Sequence, residues 1–309
     1  MIERLLSYLK LYKAHRIARR FYKRYERLSR DVAFHPGIDV RLDVYSPEEG
    51  ENHPVLIFVH GGGWSRFNKE LFAPAAMKLL PERMVVVIPD HTLYPHAGYE
   101  QMTREVAAAI SWTLENAGQH GGDPRRVVVA GHSSGGHLVS LAVMIPRFLE
   151  AHGHTRDELC GALYISSGYD LHAQYAYEQT KDSGGDTELM RTMAGITGGV
   201  ENFSAASPIN YVRPGLPPTL ILHGDADQTI PVEIARAFHR ALQETGSPSE
   251  LKVYPGRGHS EILFAALTEE RAQIVADIAD FVHASTERGK PQMNNETMNK
   301  SFSRITQML

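Results

Sequence analysis

Gly131-His132-Ser133-Ser134-Gly135 stands between an apolar run, Arg126-Val127-Val128-Val129-Ala130, and a segment of helical character from Gly136 to Val143. A Gly-x-Ser-x-Gly pentapeptide in that position predicts a nucleophile elbow, a tight turn from a strand into a helix. The turn leaves no room for side chains at its flanks, so small residues are required there. It holds the Ser133 hydroxyl at the C-terminal end of a strand, over a helix N-terminus whose unpaired N–H groups favour developing negative charge. The pentapeptide alone also fits an ordinary Gly/Ser turn, and its surroundings decide between the two.

Upstream, His60-Gly61-Gly62-Gly63-Trp64 follows another buried-strand run, Val55-Leu56-Ile57-Phe58-Val59. An acyl-transfer serine needs N–H donors aimed at the oxyanion of its tetrahedral intermediate. Glycines let the backbone turn those groups inward with no Cβ in the way. The expected donors are the backbone N–H groups of Gly62, Gly63 and Ser134. A serine hydroxyl also needs a base, and the base needs an orienting carboxylate. After an elbow the chain order is serine, acid, histidine. A strand at Pro218–Leu222 is followed by His223-Gly224-Asp225-Ala226-Asp227, and a strand at Glu250–Tyr254 by Gly256-Arg257-Gly258-His259-Ser260. His259 is the expected base, because His60, His132 and His137 all precede the last strand and read as structural hydrogen-bonders. Asp225 and Asp227 compete for the acid. Asp225 is also suited to capping its turn.

These motifs, with Asp90-His91-Thr92-Leu93-Tyr94-Pro95 and Gly121-Gly122-Asp123-Pro124, resemble those of α/β-hydrolases of the hormone-sensitive-lipase-like and feruloyl-esterase-like carboxylesterase group. The resemblance covers about residues 38 to 284. It implies that Asp227 is the acid and that Ser133, Asp227 and His259 form a catalytic triad. It also implies a serine carboxylesterase acting on small to medium carboxylic esters through an acyl-enzyme. An arylformamidase-type amide hydrolase and a prenylcysteine-methylesterase-like enzyme share the pattern and stay as alternatives. The Tyr-Arg usual before Leu-x-Pro is His91-Thr92 here, so no role is carried over for that arginine.

Length and pattern agree with an α/β fold: a doubly wound, mostly parallel sheet with a helical cap or lid. The chain has 309 residues and 42% hydrophobic content, enough for one large domain with appendages. Strands are predicted near 38–45, 55–60, 84–89, 126–130, 160–165, 218–223 and 250–254, and helices near 69–80, 101–117, 134–150, 231–245 and 261–284. Val85-Val86-Val87-Ile88 and Val127-Val128-Val129 are apolar without alternation, as parallel strands covered on both faces are. The domain proper is expected over 31–285. Within it, about 168–212 is too long for a simple connection and reads as a lid insertion, with Gly184-Gly185 and Gly198-Gly199 as hinges. An ordinary helical excursion with surface aromatics is the alternative. Trp64, Phe67 and Tyr169 are the candidates for lining the substrate pocket. For Trp64, packing under the glycine loop is an equal alternative. Residues 286–309 read as a polar tail with a short helix near 301–309.

Residues 1–30 hold ten Lys/Arg against Glu3 and Glu26, leaving 22 basic and 34 acidic residues for the rest. Ile2, Leu5, Leu6, Leu9, Tyr12, Ile17, Phe21, Tyr25 and Leu28 recur at mostly helical spacing, so this arm reads as a basic amphipathic helix. Charges break any stretch long enough for a signal peptide or a membrane span. Three readings stay open: a cap across the site mouth, peripheral contact with an anionic membrane, or a helix lying on the body. A nucleic-acid partner is not expected, since no binding-fold signature accompanies the charge. Cys160 is the only cysteine, which excludes an intrachain disulfide. It reads as a buried small apolar residue. A cytoplasmic location is expected, and association into oligomers is left open. No Cys/His spacing suggests a metal and no phosphate-binding glycine loop is present, so no metal and no cofactor is expected, and the expected partner is a small-molecule ester.

Overall fold

Val55, Ile57 and Val59 are buried in one apolar cluster, while Leu56 and Phe58, alternating with them, are buried in a second. A strand apolar on both faces has to be covered twice, and the rest of the chain supplies the two covers. The computed structural model describes residues 16, 17, 19–181, 186–261, 263 and 272–288. The strands are β1 (Leu28–Val32), β2 (Leu42–Tyr45), β3 (His53–Val59), β4 (Val85–Pro89), β5 (Gly122–His132), β6 (Gly161–Ile165), β7 (Thr219–Gly224) and β8 (Ser249–Tyr254). The helices are α1 (Lys69–Leu79), α2 (Tyr99–Asn116), α3 (Ser134–Met144), α4 (Arg147–Glu150), α5 (Leu171–Gln179), α6 (Glu188–Thr197), α7 (Val232–Glu244) and α8 (Gln273–Arg288).

The strands form one sheet in the order β1-β2-β4-β3-β5-β6-β7-β8. The β1–β2 and β2–β4 pairs are antiparallel and all others parallel. Apolar residues of α2, α3 and α7 share the cluster of Val55 and Ile57, whereas those of α1 and α8 share the cluster of Leu56 and Phe58. From β3 the chain moves one way along the sheet to β4, and from β5 it moves the other way to β6. Between β3 and β5 lies the switch point outside whose carboxyl ends an open α/β sheet leaves a crevice.

The predicted helix over 134–150 divides in two. Ile145 is extended (φ −103°, ψ 105°) ahead of Pro146, because a residue before proline is driven out of the helical region. The insertion holds α5 and α6. Gly198, expected to be a hinge, instead caps α6 in the left-handed region at φ 74°. Gly184 and Gly185 lie outside the described residues.

The basic arm departs from expectation at its end. Residues 19–24 are helical, but Leu28–Val32 is the edge strand β1 rather than more helix. Phe21 stacks on Tyr25 and Tyr45 with ring centroids 4.9 and 6.0 Å apart, and Tyr25 donates a 2.7 Å hydrogen bond to Ser46 O. The described part of the arm therefore packs on the body, and residues 1–15 lie outside the described ones. So do 289–309, including the helix expected near 301–309, while α8 runs three residues into the expected tail. Among the described residues no helix is long and apolar enough to cross a membrane. Cys160 is half-buried rather than buried, its Sγ 3.3 Å from Arg125 O.

The elbow admits almost no added volume. A Cβ on Gly135 would overlap the carbonyl oxygens of Val59 and His60, and one on Gly136 would overlap Ser167 Oγ. Gly135→Ala is expected to lower stability by about 3 kcal/mol or more, read as a shifted denaturant midpoint. A midpoint equal to that of the parent would show that the β3 and β5 ends can separate freely.

Candidate active site

Ser133 sits between β5 and α3 with φ 53° and ψ −124°, a conformation that costs energy for a residue with a Cβ. The strain is held by neighbours on both sides. Ser133 N–H donates to Ile165 O at 2.9 Å, and Ser133 O accepts from His137 N–H at 3.1 Å as the helix begins. The glycine loop after β3 lies against this turn: a Cβ on Gly61 would stand 2.7 Å from His132 Nδ1 and 3.0 Å from Ser133 Cβ. Gly62 and Gly63 take φ 139° and 59°, so the chain folds back at once, and Gly62, Gly63 and Ser134 all border the cleft beside Ser133.

The loops after β7 and β8 bring the other expected residues to the same place. Ser133 Oγ lies 2.8 Å from His259 Nε2, and His259 Nδ1 lies 2.8 Å from Asp227 Oδ2. A carboxylate only accepts, so the Nδ1 side carries the proton toward Asp227, leaving Nε2 to accept from the serine hydroxyl. Asp227 is buried, and its Oδ1 accepts from the N–H groups of Thr229 and Ile230 at 2.8 and 2.9 Å. Burial opposes ionisation of Asp227, but the His223 and His259 imidazoles and the Ile230 N–H beside it outweigh it and hold the pKa well below the usual carboxylate range. Asp225 does something else. It is exposed, and its Oδ1 accepts from Gly256 N–H at 2.6 Å, fastening the His259 loop to the loop after β7.

Three further histidines organise the site. His137 accepts from Trp64 Nε1 at 3.2 Å and donates to Ala206 O at 2.7 Å, which joins α3, the glycine loop and the insertion through one ring. Burial pushes its pKa down to about 4, the Ala206 hydrogen bond opposing. His132 Nε2 lies 3.2 Å from His259 O, and burial followed by the neighbouring His259 pushes its pKa down to about 3. His60 donates from Nδ1 to Gly61 O at 2.8 Å and stacks on His91, centroids 4.7 Å apart. Thr92, where the family pattern differs, donates from N and Oγ1 to Glu105 at 2.6 and 2.8 Å.

The cleft has a volume of about 400 Å³. Trp64 and Phe67 border it, Trp64 buried and Phe67 half exposed at the mouth. Tyr169 does not. It is fully buried and stacks flat on Phe238, centroids 4.0 Å apart, so this candidate pocket residue is a core residue. The chain turns at Gly168 before it, and Gly168 borders the cleft in its stead. Sequence reasoning missed His223, whose Nε2 donates to Ile230 O at 2.9 Å and stands 3.4 Å from Asp227 Oδ2. Its position four residues before Asp227 was the available signal. Gln174 of α5 was also missed: it is buried, borders the cleft and leaves Oε1 without a hydrogen-bond partner. No group of side chains suited to holding a metal occurs among the described residues.

Sheet order, elbow and loop placement are those of an α/β hydrolase with a helical cap. Residues 42–242 match the BD-FAE family model, and the chain belongs to that family. Among curated relatives it is 27% identical to isoprenylcysteine alpha-carbonyl methylesterase ICME of Arabidopsis thaliana, over 81% of this chain and 60% of the relative. It is 32% identical to esterase LipC of Mycobacterium tuberculosis, over 75% of this chain and 59% of the relative. The chain thus spans about three fifths of the length of the curated relatives it matches. Among solved structures, Thermogutta terrifontis esterase 2 phosphonylated by sarin is similar at 25% identity and TM-score 0.65, covering 80% of this chain and 89% of that one. A truncated carbohydrate esterase from gut microbiota shares the fold at 22% identity and TM-score 0.71, covering 85% and 97%.

His91, His132 and His137 are held neutral in the fold, with pKa values of about 3, 3 and 4 against 6.5 unperturbed. Between those values the unfolded chain binds more protons, so stability should fall as pH drops from about 6.5 toward about 4. Thermal midpoints recorded across that range test this, and a flat profile would mean the three rings are protonated in place. His137→Leu strands the Trp64 N–H and the Ala206 carbonyl and is expected to cost about 2–4 kcal/mol, read by chemical denaturation.

Proposed function

We propose that the chain is a serine carboxylesterase working through Ser133, His259 and Asp227. The observation that carries this reading is the unbroken relay of two 2.8 Å contacts from the Ser133 hydroxyl to a buried carboxylate, opening into a cleft bordered by the glycine loop. In this reading Ser133 Oγ attacks the ester carbonyl while His259 Nε2 takes its proton. Asp227, saturated by backbone and imidazole donors, fixes the tautomer and stabilises the imidazolium. The N–H groups of Gly62, Gly63 and Ser134 receive the oxyanion. His259 then protonates the leaving alcohol and activates the water that hydrolyses the acyl-enzyme.

The phosphonylated state of the Thermogutta relative and the esterase names of the mycobacterial ones support serine-dependent ester hydrolysis. The name of the Arabidopsis relative, together with the mostly apolar walls of the cleft, favours a second, narrower reading: hydrolysis of the methyl ester of a lipid-modified cysteine. Turnover of a prenylcysteine methyl ester, of p-nitrophenyl esters and of N-formylkynurenine, measured side by side, separates the narrow reading, the general one and the amide-hydrolase alternative.

Ser133→Ala is expected to lower kcat on any cleaved ester by at least about a thousandfold and to abolish labelling by a fluorophosphonate probe. Activity within tenfold of the parent would remove Ser133 from the role. Asp227→Asn should cost far more activity than Asp225→Asn, since only the former contacts His259. The reverse order would exchange the two assignments.

A further inference from the structure

The cleft beside Ser133 does not end at the triad. It continues on the side of the sheet covered by α1 and α8, between those two helices and above Phe58 of β3. Leu71, Phe72, Pro74, Ala75, Lys78 and Leu79, a broad stripe of α1 with one cationic side chain toward its far end, form its wall, and Val275 and Ile278 of α8 form the opposite wall. The near end is fixed by Phe72, whose ring lies 6.4 Å from that of His132, the neighbour of Ser133. At 1.5 Å per residue, the stripe from Phe72 to Leu79 runs roughly 10 Å away from the nucleophile.

Protein interiors close to crystal-like density unless something else fills the space. Ala75, the smallest side chain of the stripe, borders the channel and lies between Phe72 and Leu79 along the helix, so a larger residue there would narrow it. Water is a poor occupant, because an ordered water needs two to four polar partners and these walls are mostly hydrocarbon. A hydrocarbon occupant is stabilised by every methylene it brings in. The other side of the serine differs: Gln174 and Thr229 border it, and the Gln174 amide oxygen is unpartnered. The two sides would thus discriminate between the substituents of an ester.

We propose that the channel between α1 and α8 is a binding site for an extended apolar chain of the substrate ester, with Ala75 and Val275 setting the length accepted. This rests on the esterase reading and narrows it to esters carrying a medium or long hydrocarbon substituent. The shared chemistry, an unbranched hydrocarbon chain joined to the scissile ester, can come from the acyl group or from the alcohol.

The experiment uses the full chain and two ester series, methyl esters of acids from acetate to dodecanoate and acetates of alcohols from methanol to dodecanol. In one series kcat/KM should climb by about threefold to fourfold per methylene until the channel is full, and the series that climbs names the substituent it holds. Ala75→Phe and, from the opposite wall, Val275→Trp should each lower kcat/KM for the long members at least tenfold while leaving the two-carbon ester within twofold. No climb in either series, or a loss equal at all lengths in both variants, overturns the channel. Binding of dodecan-1-ol to Ser133→Ala by calorimetry, weakened at least tenfold when Ala75→Phe is added, tests the channel without chemistry. Alcohol binding with no ester turned over and no fluorophosphonate labelling of the parent would sink the esterase reading and leave the channel standing. Ester turnover without alcohol binding would do the reverse.

Discussion

Two backbones meet at the centre of this molecule, and the meeting tolerates no side chain. The carbonyl oxygens of Val59 and His60 fill the space that a side chain on Gly135 would need, and Gly61 lies against His132 and Ser133. That contact joins the ends of β3 and β5, the adjacent strands from which the chain departs in opposite directions. It brings the glycine loop and the serine to one point, and it holds Ser133 at a φ that its own Cβ disfavours. The energy for this strain comes from the sheet around it, where both faces of β3 and β5 are filled.

Polar groups buried at such a junction need partners, and histidine supplies them economically. A neutral imidazole donates from one nitrogen and accepts on the other, which lets His137 tie Trp64 to Ala206, while the Nε2 donor of His223 braces the loop that carries Asp227. Burial keeps the His91, His132 and His137 rings uncharged. The scaffold of the site therefore stiffens as the solution becomes less acid, in the range where imidazoles of an unfolded chain lose their protons.

Much of this was legible in the sequence because the chemistry constrains residue type. An elbow requires glycines at fixed spacing, an oxyanion loop requires them in a row, and an acid and a histidine must follow successive strands. The choice of Asp227 over Asp225 was not legible from spacing. It came from family resemblance, and the geometry that sets the two apart is visible only in three dimensions, where one carboxylate is buried among donors beside His259 and the other spans two surface loops. Tyr169 misled because an aromatic in a long insertion looks the same whether it lines a pocket or stacks on Phe238. The walls of the apolar channel were invisible for a similar reason: the inward stripe of an amphipathic helix carries the same residues whether it fills a core or borders a cleft. Strand β1 was missed because its charged, half-exposed residues continue the basic pattern of the arm before it.

That strand is one outer margin of the sheet, and its shape bears on how copies of the chain behave toward one another. Its pairing with β2 slips between Ser29 and Val32, where Asp31 adopts φ 52°. The Asp31 carboxylate bonds the buried Lys69 ammonium at 2.7 Å, and Asp43 approaches the same ammonium at 3.1 Å. A strand from another molecule could add here only by flattening the kink and pulling Asp31 from its cation. An irregular, charged margin of this kind discourages open-ended stacking of sheets, so the same ion cluster that anchors the start of α1 also guards against fibrous self-association.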